Sequence, residues 1–405
     1  MKSGSLTDDD DEPVSHQRNW STYLGVTGFL LVLVAVLAGG LIWYNAKKAS
    51  SFAVTAAEQL MQQTEDQIVD RIKLLYEPMF AVVGVGSLVP EFSTPAIKDD
   101  AEARRLMLRG LRIYPQILSL YVGFDSGDFL MVTHIAGAET ASLREKLRTP
   151  PNAEFAVEIV AGSSAGEQTA RWVFLDKGGS DIGSREPEPT TFDPRKRPWY
   201  RPAQESDVVE HTELYVFSAS GTPGFTVSRG FKGATPGVIG ADLAASGLAD
   251  FLREQRITPN SVAFIFNKQD EIIAMPNLGQ IVKPTPGNGE ATSVPPKVSE
   301  LHDPVIGGLV AAYADHQMIG ARTYDVAGRT YIGQVAEVPP RYGRDQLLAI
   351  MVPIDEIEQP ILDIRNETLL YSIAFLVFAL PLYVTLIVAW IDRRLRSSTP
   401  GSLVH

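Results

Sequence analysis

Residues 192–203 read FDPRKRPWYRPA and are the most informative part of this sequence. It places the guanidinium group of Arg197 close in the chain to two large aromatic side chains, Trp199 and Tyr200. A guanidinium group can hold a carboxylate through two parallel hydrogen bonds. Trp and Tyr provide an apolar wall with a polar edge that can bond a ligand. These residue types therefore suit a site for a small molecule that carries a carboxylate.

The composition excludes several classes of function. The 405 residues carry a net charge of −12, which argues against nucleic acid as a partner because phosphate binding needs a basic surface. With no cysteine, the chain forms no disulfide, thiolate metal site or Cys nucleophile. Residues 162–166, GSSAG, spell a hydrolase motif but lack the strand and helix that this motif requires. We expect a protein that is not an enzyme and that uses no metal and no cofactor.

Two long apolar segments flank the chain's central part. Residues 23–44 and 369–391 are uncharged, and each exceeds the roughly 20 residues that cross a bilayer. Tyr or Trp residues lie near their ends, as at membrane interfaces. The sequence predicts one transmembrane helix at residues 23–44 and another at residues 367–391, with the lipid bilayer as a partner.

The arginines after the second apolar segment predict the topology. Arg393, Arg394 and Arg396 follow it directly, and cytoplasmic loops are enriched in such residues. The C-terminal tail, residues 392–405, is therefore expected in the cytoplasm. Two spans then place the acidic N-terminal tail, residues 1–22, there as well. The segment between the spans is expected outside the cytoplasm.

The outer segment begins as a helix and continues as two sets of strands. Residues 45–80 contain apolar positions at helical spacing, Leu60, Thr64, Ile68, Ile72 and Leu75. A second helix is predicted at 99–112, and further helices at 245–256 and 305–313. Strands are predicted at 117–124, 129–135, 170–175, 214–218, 224–231, 237–243, 261–267, 271–275, 320–326, 330–337 and 346–352. Antiparallel strands with flanking helices indicate the α+β class.

The stretch 192–203 resembles the signature of double Cache domains, the PAS-like extracellular sensors of bacterial receptors. Tyr215 and the predicted strands 224–231 and 237–243 fall where that family has its matching strands. The resemblance implies two stacked PAS-like antiparallel-sheet lobes on a long N-terminal helix, flanked by two transmembrane helices. It divides the outer segment into a stalk helix (45–80), a membrane-distal lobe (81–258) and a membrane-proximal lobe (259–366). It also implies the bacterial inner membrane, with the main domain periplasmic or extracellular.

The same resemblance implies a ligand pocket in the membrane-distal lobe. Arg197, Trp199 and Tyr200 would line it, with Tyr215 and Asp242 opposite. A cation at one end and an anion at the other suit a zwitterion such as an amino acid. The chain has Phe192 and Phe217 where the amino-acid-binding branch usually has a tyrosine and an acid. An amino acid, another small organic acid and no small ligand at all therefore stay open.

Each proposed site residue also has a structural interpretation. Trp199 and Tyr200 can belong to the core, and Arg197 can form an internal ion pair. Asp242 can cap the helix that begins near Ala244 or Ala245. These interpretations need no ligand.

The function expected from these features is a membrane-anchored sensor. It would bind a small solute outside and transmit a conformational signal, with a homodimer implied by the family. Only fourteen residues follow Ile391, which is too few for an output domain. Three interpretations stay open: the sensor part of a longer receptor, a sensor that acts on a separate cytoplasmic output protein, or an accessory subunit of a larger membrane complex without ligand sensing.

Overall fold

The computed structural model describes residues 20–161, 168–232, 235–276, 295–316, 320–374, 377–378 and 380–397. The hydrolase-like spelling at 162–166, nearly all of the Pro/Gly-rich stretch before Pro296 and most of both predicted tails lie outside these residues. By its internal contacts the chain divides into two units, Ala56–Ile357 and Met1–Thr55 with Glu358–His405.

The helices of the described residues run in chain order as α1 to α8. They are α1 (Trp20–Gly86), α2 (Ala101–Ile113), α3 (Ala141–Leu147), α4 (Tyr200–Glu205), α5 (Ala245–Glu254), α6 (Pro304–His316), α7 (Ile354–Ala374) and α8 (Leu380–Ser397). The sequence explains some of their boundaries. Asp100 caps α2, because its carboxylate accepts hydrogen bonds from the backbone N–H groups of Glu102 and Ala103.

In the smaller unit, the described residues are helical and come from α1, α7, α8 and a short π-helical piece at residues 377–378. Across the described residues, no helix combines enough length with enough apolar character to cross a membrane. The spans at residues 23–44 and 367–391 stay predictions.

The described residues of the larger unit form two antiparallel sheets. The first has ten strands, in the order β5-β4-β3-β2-β1-β10-β9-β7, with β6 beside β4 and β8 beside β9. Its strands are β1 (Ser119–Phe124), β2 (Phe129–His134), β3 (Phe155–Ala161), β4 (Gln168–Leu175), β5 (Asp181–Ser184), β6 (Glu188–Thr190), β7 (Glu210–His211), β8 (Tyr215–Val216), β9 (Pro223–Phe231) and β10 (Gly237–Ala244). Because β1 pairs with both β2 and β10, residues more than 100 positions apart meet at the centre of this sheet.

The second sheet has five strands in the order β12-β11-β15-β14-β13. They are β11 (Val262–Asn267), β12 (Ile272–Ala274), β13 (Gly320–Val326), β14 (Arg329–Glu337) and β15 (Gln346–Pro353). Helix α5 contacts β9 and β10 of the first sheet and β11 and β12 of the second, so it links the two lobes. The predicted α+β class, with antiparallel sheets and a long N-terminal helix, is confirmed.

Helix α1 packs along both lobes. Of the predicted apolar stripe, Ile68, Ile72 and Leu75 are buried, whereas Leu60 is 44% exposed and Met61 is buried in its place. The hydroxyl of Tyr342, beyond β14, donates to Glu77 of α1 at 2.7 Å. The stripe therefore serves packing against the chain's own lobes.

Candidate functional site

The stretch 192–203, called here the signature loop, packs closely onto the ten-stranded sheet. Gly123 of β1 has no Cβ, and a Cβ there would lie 2.8 Å from Pro194 and 3.0 Å from Trp199. Gly230 of β9 likewise leaves space for the backbone oxygen of Ala203. The Ser228 hydroxyl donates to the Trp199 carbonyl at 3.0 Å. The two glycines thus leave room for the loop to lie against the sheet, and the serine forms a hydrogen bond to it.

Two aromatic residues of the signature loop belong to the core. Trp199 is 4% exposed and its ring centroid lies 4.7 Å from that of Tyr121. Tyr200 is buried and donates its hydroxyl to Asp125 at 2.7 Å. Burial, with this hydrogen bond, raises the pKa of Tyr200. The structure therefore gives both residues the packing role that the sequence left open, and their contact with a ligand stays a prediction.

A buried polar cluster lies beside these rings and consists of Tyr121, Tyr215, Thr226 and Asp242. Tyr121 and Thr226 donate to the same Asp242 oxygen, Oδ1, at 2.8 Å and 2.6 Å. The hydroxyls of Tyr215 and Thr226 are 2.6 Å apart. The structure thus joins predicted residues Tyr215 and Asp242 through Thr226.

Burial governs the charge of Asp242. Desolvation raises the pKa of its carboxyl to about 7, although the hydrogen bonds from Thr226 and Tyr121 and the charge of Arg197 lower it in part. The prediction that Asp242 caps the following helix is wrong. The N-cap of α5 is Ala244, without a side-chain hydrogen bond, because Asp242 lies inside strand β10 and points into the cluster.

Gly240 explains how Tyr121 reaches Asp242. The two residues pair directly, Tyr121 on β1 with Gly240 on β10. A Cβ on Gly240 would lie 2.4 Å from the Tyr121 ring. Only glycine lets the ring lie across β10 so that its hydroxyl reaches the neighbouring row of the sheet.

Among the residues predicted to bind a ligand, Arg197 is the one that borders a cavity. It lines a cavity of about 800 Å³, called here the main cavity, between the signature loop and strands β3 and β4. Its Nη2 donates to the Val216 carbonyl at 3.4 Å, and its charge lowers the pKa of Tyr215 and Asp242 against the larger effect of burial. Of the five predicted site residues, all in the described part of the chain, only Arg197 is in the cavity wall.

The two departures from the family's pattern have structural uses. Phe192 packs against Phe129 with ring centroids 4.8 Å apart. Phe217 is buried, meets Tyr215 edge to face at 5.3 Å, and covers Gly224, where a Cβ would lie 2.3 Å from its ring. The phenylalanines therefore fill space where a tyrosine and an acid would add polar atoms.

Sequence reasoning missed Tyr121, Thr226 and Glu158. Glu158, on β3, is buried in the wall of the main cavity, and burial raises the pKa of its carboxyl to about 7 against the opposing charge of Lys146. The available signal was its position as the single charge within the apolar strand FAVEIVA. Among the described residues, no cluster of His, Asp or Glu could hold a metal ion.

Two bacterial signalling proteins are similar in sequence to this chain. The chain is 30% identical over 253 residues to adenylate cyclase 1 of Rhizobium meliloti, covering 62% of this chain and 38% of that protein. It is 27% identical over 136 residues to the methyl-accepting chemotaxis protein McpG of Pseudomonas putida, covering 33% and 21%. The predicted resemblance to bacterial sensor domains is confirmed. The chain thus spans well under half of the length of these curated relatives. No family model matches it.

Solved structures give a looser match. The ligand-binding domain of the Campylobacter jejuni chemoreceptor Tlp3, solved with 4-methylisoleucine, is 14% identical with a TM-score of 0.45, covering 77% of this chain and 95% of that one. The ligand-binding domain of the Pseudomonas fluorescens chemoreceptor CtaA, solved with L-serine, is 16% identical with a TM-score of 0.42, covering 74% and 99%.

Proposed function

We propose that the chain is the sensing part of a bacterial membrane receptor and that its ten-stranded lobe binds a small carboxylate. The observation that carries the proposal is the position of Arg197 in the wall of the main cavity, within electrostatic reach of the buried polar cluster. The names of the sequence relatives, an adenylate cyclase and a chemotaxis protein, support a role in signalling.

The ligand in this proposal is an amino acid. Its carboxylate binds the Arg197 guanidinium in the cavity wall, and its ammonium group is attracted toward Asp242, which lies buried behind that wall. An ammonium group favours the ionised carboxyl and so lowers its raised pKa. Affinity then falls about tenfold for each pH unit below the pKa of Asp242, because ligand and proton compete for one group.

Signal transmission requires that the ligand bind one conformation better than another. The signature loop and α5 offer a route, since the loop packs on β1 and β9, and α5 connects β9 and β10 to the second lobe. In the proposal, residues 45–366 lie in the periplasm, the spans at 23–44 and 367–391 cross the inner membrane, and two copies pair through α1.

A thermal-unfolding screen tests the binding function. The full chain in detergent is heated with each of the twenty amino acids and with a panel of organic acids. A ligand at 100 times its Kd stabilises the folded state by about 2.7 kcal/mol, which raises Tm by roughly 5 °C or more. If no compound raises Tm, the sensor proposal fails and the accessory-subunit alternative gains support.

A further inference from the structure

Glu158 is a buried carboxyl group that the proposed amino-acid site does not use. It is 8% exposed, and it lies in the wall of the main cavity. Within the described part of the chain, no hydrogen bond or ion pair joins its carboxylate to another residue. Its carboxylate therefore borders the space of the cavity, and a mostly buried carboxyl is stabilised when a polar or charged group there pairs with it. A ligand group in the cavity would be such a partner.

The pairing register shows where Glu158 faces. Tyr121 pairs with Met131, Met131 with Glu158, and Glu158 with Trp172, so these four residues form one row across β1 to β4. Directly paired side chains lie on the same face of a sheet. Glu158 therefore shares its face with the ring of Tyr121, and the indole of Trp172 stands next to it in the cavity wall. A carboxylate beside an aromatic face is a favourable place for an organic cation.

Glu158 and Asp242 are at separate ends of this face. Strand β3 is three strands away from β10, which is roughly 14 Å at the usual spacing between strands. The charges around them differ as well: Arg197 acts on Asp242, whereas Lys146 acts on Glu158. One ammonium group cannot serve both carboxyls.

The basic side chains near Glu158 do not prevent a cationic ligand group from pairing with its carboxylate. Arg185, in the same cavity wall, is paired with Glu188 at 3.1 Å. Lys146 lies on α3 with an exposed, flexible side chain that can turn toward solvent. A cationic ligand group that binds Glu158 therefore displaces at most the exposed ammonium group of Lys146.

We propose that Glu158 binds a second cationic group at the far end of the ligand, so that the site selects an α-amino acid with a basic side chain. This inference rests on the proposed function, in which Arg197 binds the carboxylate. Glu158 then determines specificity, and Trp172 covers the cationic end.

Titration calorimetry on the full chain in detergent tests the inference with arginine and citrulline. Citrulline has nearly the same shape as arginine but no side-chain charge. We expect arginine to bind the wild-type chain at least tenfold more tightly than citrulline. In Glu158→Gln this ratio falls to near one, chiefly through weaker arginine binding. Glu188→Gln, which removes an exposed acid of the same cavity wall, keeps the ratio.

The outcomes separate the two proposals. Equal affinities for arginine and citrulline in the wild type, or an unchanged ratio in Glu158→Gln, overturn the inference but leave the carboxylate site standing. Absence of binding by any amino acid overturns both. Glu158→Gln keeps the side-chain volume and removes a desolvated acid, and unchanged circular dichroism verifies that it folds.

Discussion

The ten-stranded and five-stranded sheets differ in how they use buried polar side chains. In the ten-stranded sheet, Tyr121, Thr226 and Asp242 lie in the middle of strands and bond to one another, and Glu158 faces a cavity. In the five-stranded sheet, Asn267 lies at a strand end, where its Oδ1 accepts the N–H groups of the following turn. In the smaller sheet Asn267 thus closes a turn and the mid-strand Gln334 bonds to Glu65 of α1, whereas in the larger sheet the buried polar groups bond to one another and Glu158 borders the main cavity.

The largest effects should come from removing one buried aromatic side chain in each lobe. Trp199→Ala in the larger lobe and Phe264→Ala in the smaller lobe should each cost about 3–5 kcal/mol of unfolding free energy. Trp199 supports Tyr121, so its loss should also weaken ligand affinity, while Phe264→Ala should leave the affinity of the folded protein unchanged. Thermal unfolding and titration calorimetry measure the two effects. Equal loss of affinity in both variants would remove the distinction between the lobes.

A smaller effect, on the order of a few kcal/mol, should appear in the pH dependence of stability. The pKa of Asp242 is raised to about 7, so the folded state keeps a proton that the unfolded state releases near pH 4. Stability therefore falls as pH rises from about 4 to 7. Asp242→Asn keeps an oxygen that accepts the bonds from Tyr121 and Thr226, and it should flatten this slope.

Glu356, which lies next to the five-stranded sheet, should contribute a pH dependence of stability with the opposite sign. Burial raises the pKa of its carboxyl, but hydrogen bonds from Asn260 and Arg329 outweigh burial and bring the pKa to about 2. Its contribution is therefore present above about pH 4.5 and is lost as pH falls toward 2. Thermal unfolding of Glu356→Gln and Asp242→Asn between pH 3 and 8 checks both signs. A slope that Asp242→Asn leaves unchanged would show that Asp242 is ionised in the folded state.

Much of the fold followed from local patterns in the sequence. Hairpin turns, apolar alternation and the helix signals located both sheets and most of their strands. Strand β3 (Phe155–Ala161) was missed because it is buried on both faces and shows no alternation. Helix α3 (Ala141–Leu147) was missed as well, since seven residues are too few for a clear helical period.

The site was harder to predict than the fold. The signature loop identified Arg197, but the positions of Tyr121 and Glu158 depend on strand pairings between distant parts of the chain. Alternation along a strand shows that two faces exist, not which residues of other strands share them. A single glutamate in an apolar strand has the same appearance whether it faces solvent or a cavity. The strand register is therefore needed to place Tyr121 and Glu158 on the same face of the sheet.

The most direct test of the central claim compares two arginines of the signature loop by titration calorimetry with the best ligand of the amino-acid panel. Arg197→Ala removes the guanidinium from the cavity wall, whereas Arg201→Ala removes one that is 81% exposed and paired with Glu205. We predict at least a 100-fold loss of affinity for Arg197→Ala, about 2.7 kcal/mol, and less than a twofold change for Arg201→Ala. Unchanged affinity in Arg197→Ala would contradict the assignment of the main cavity as the carboxylate site.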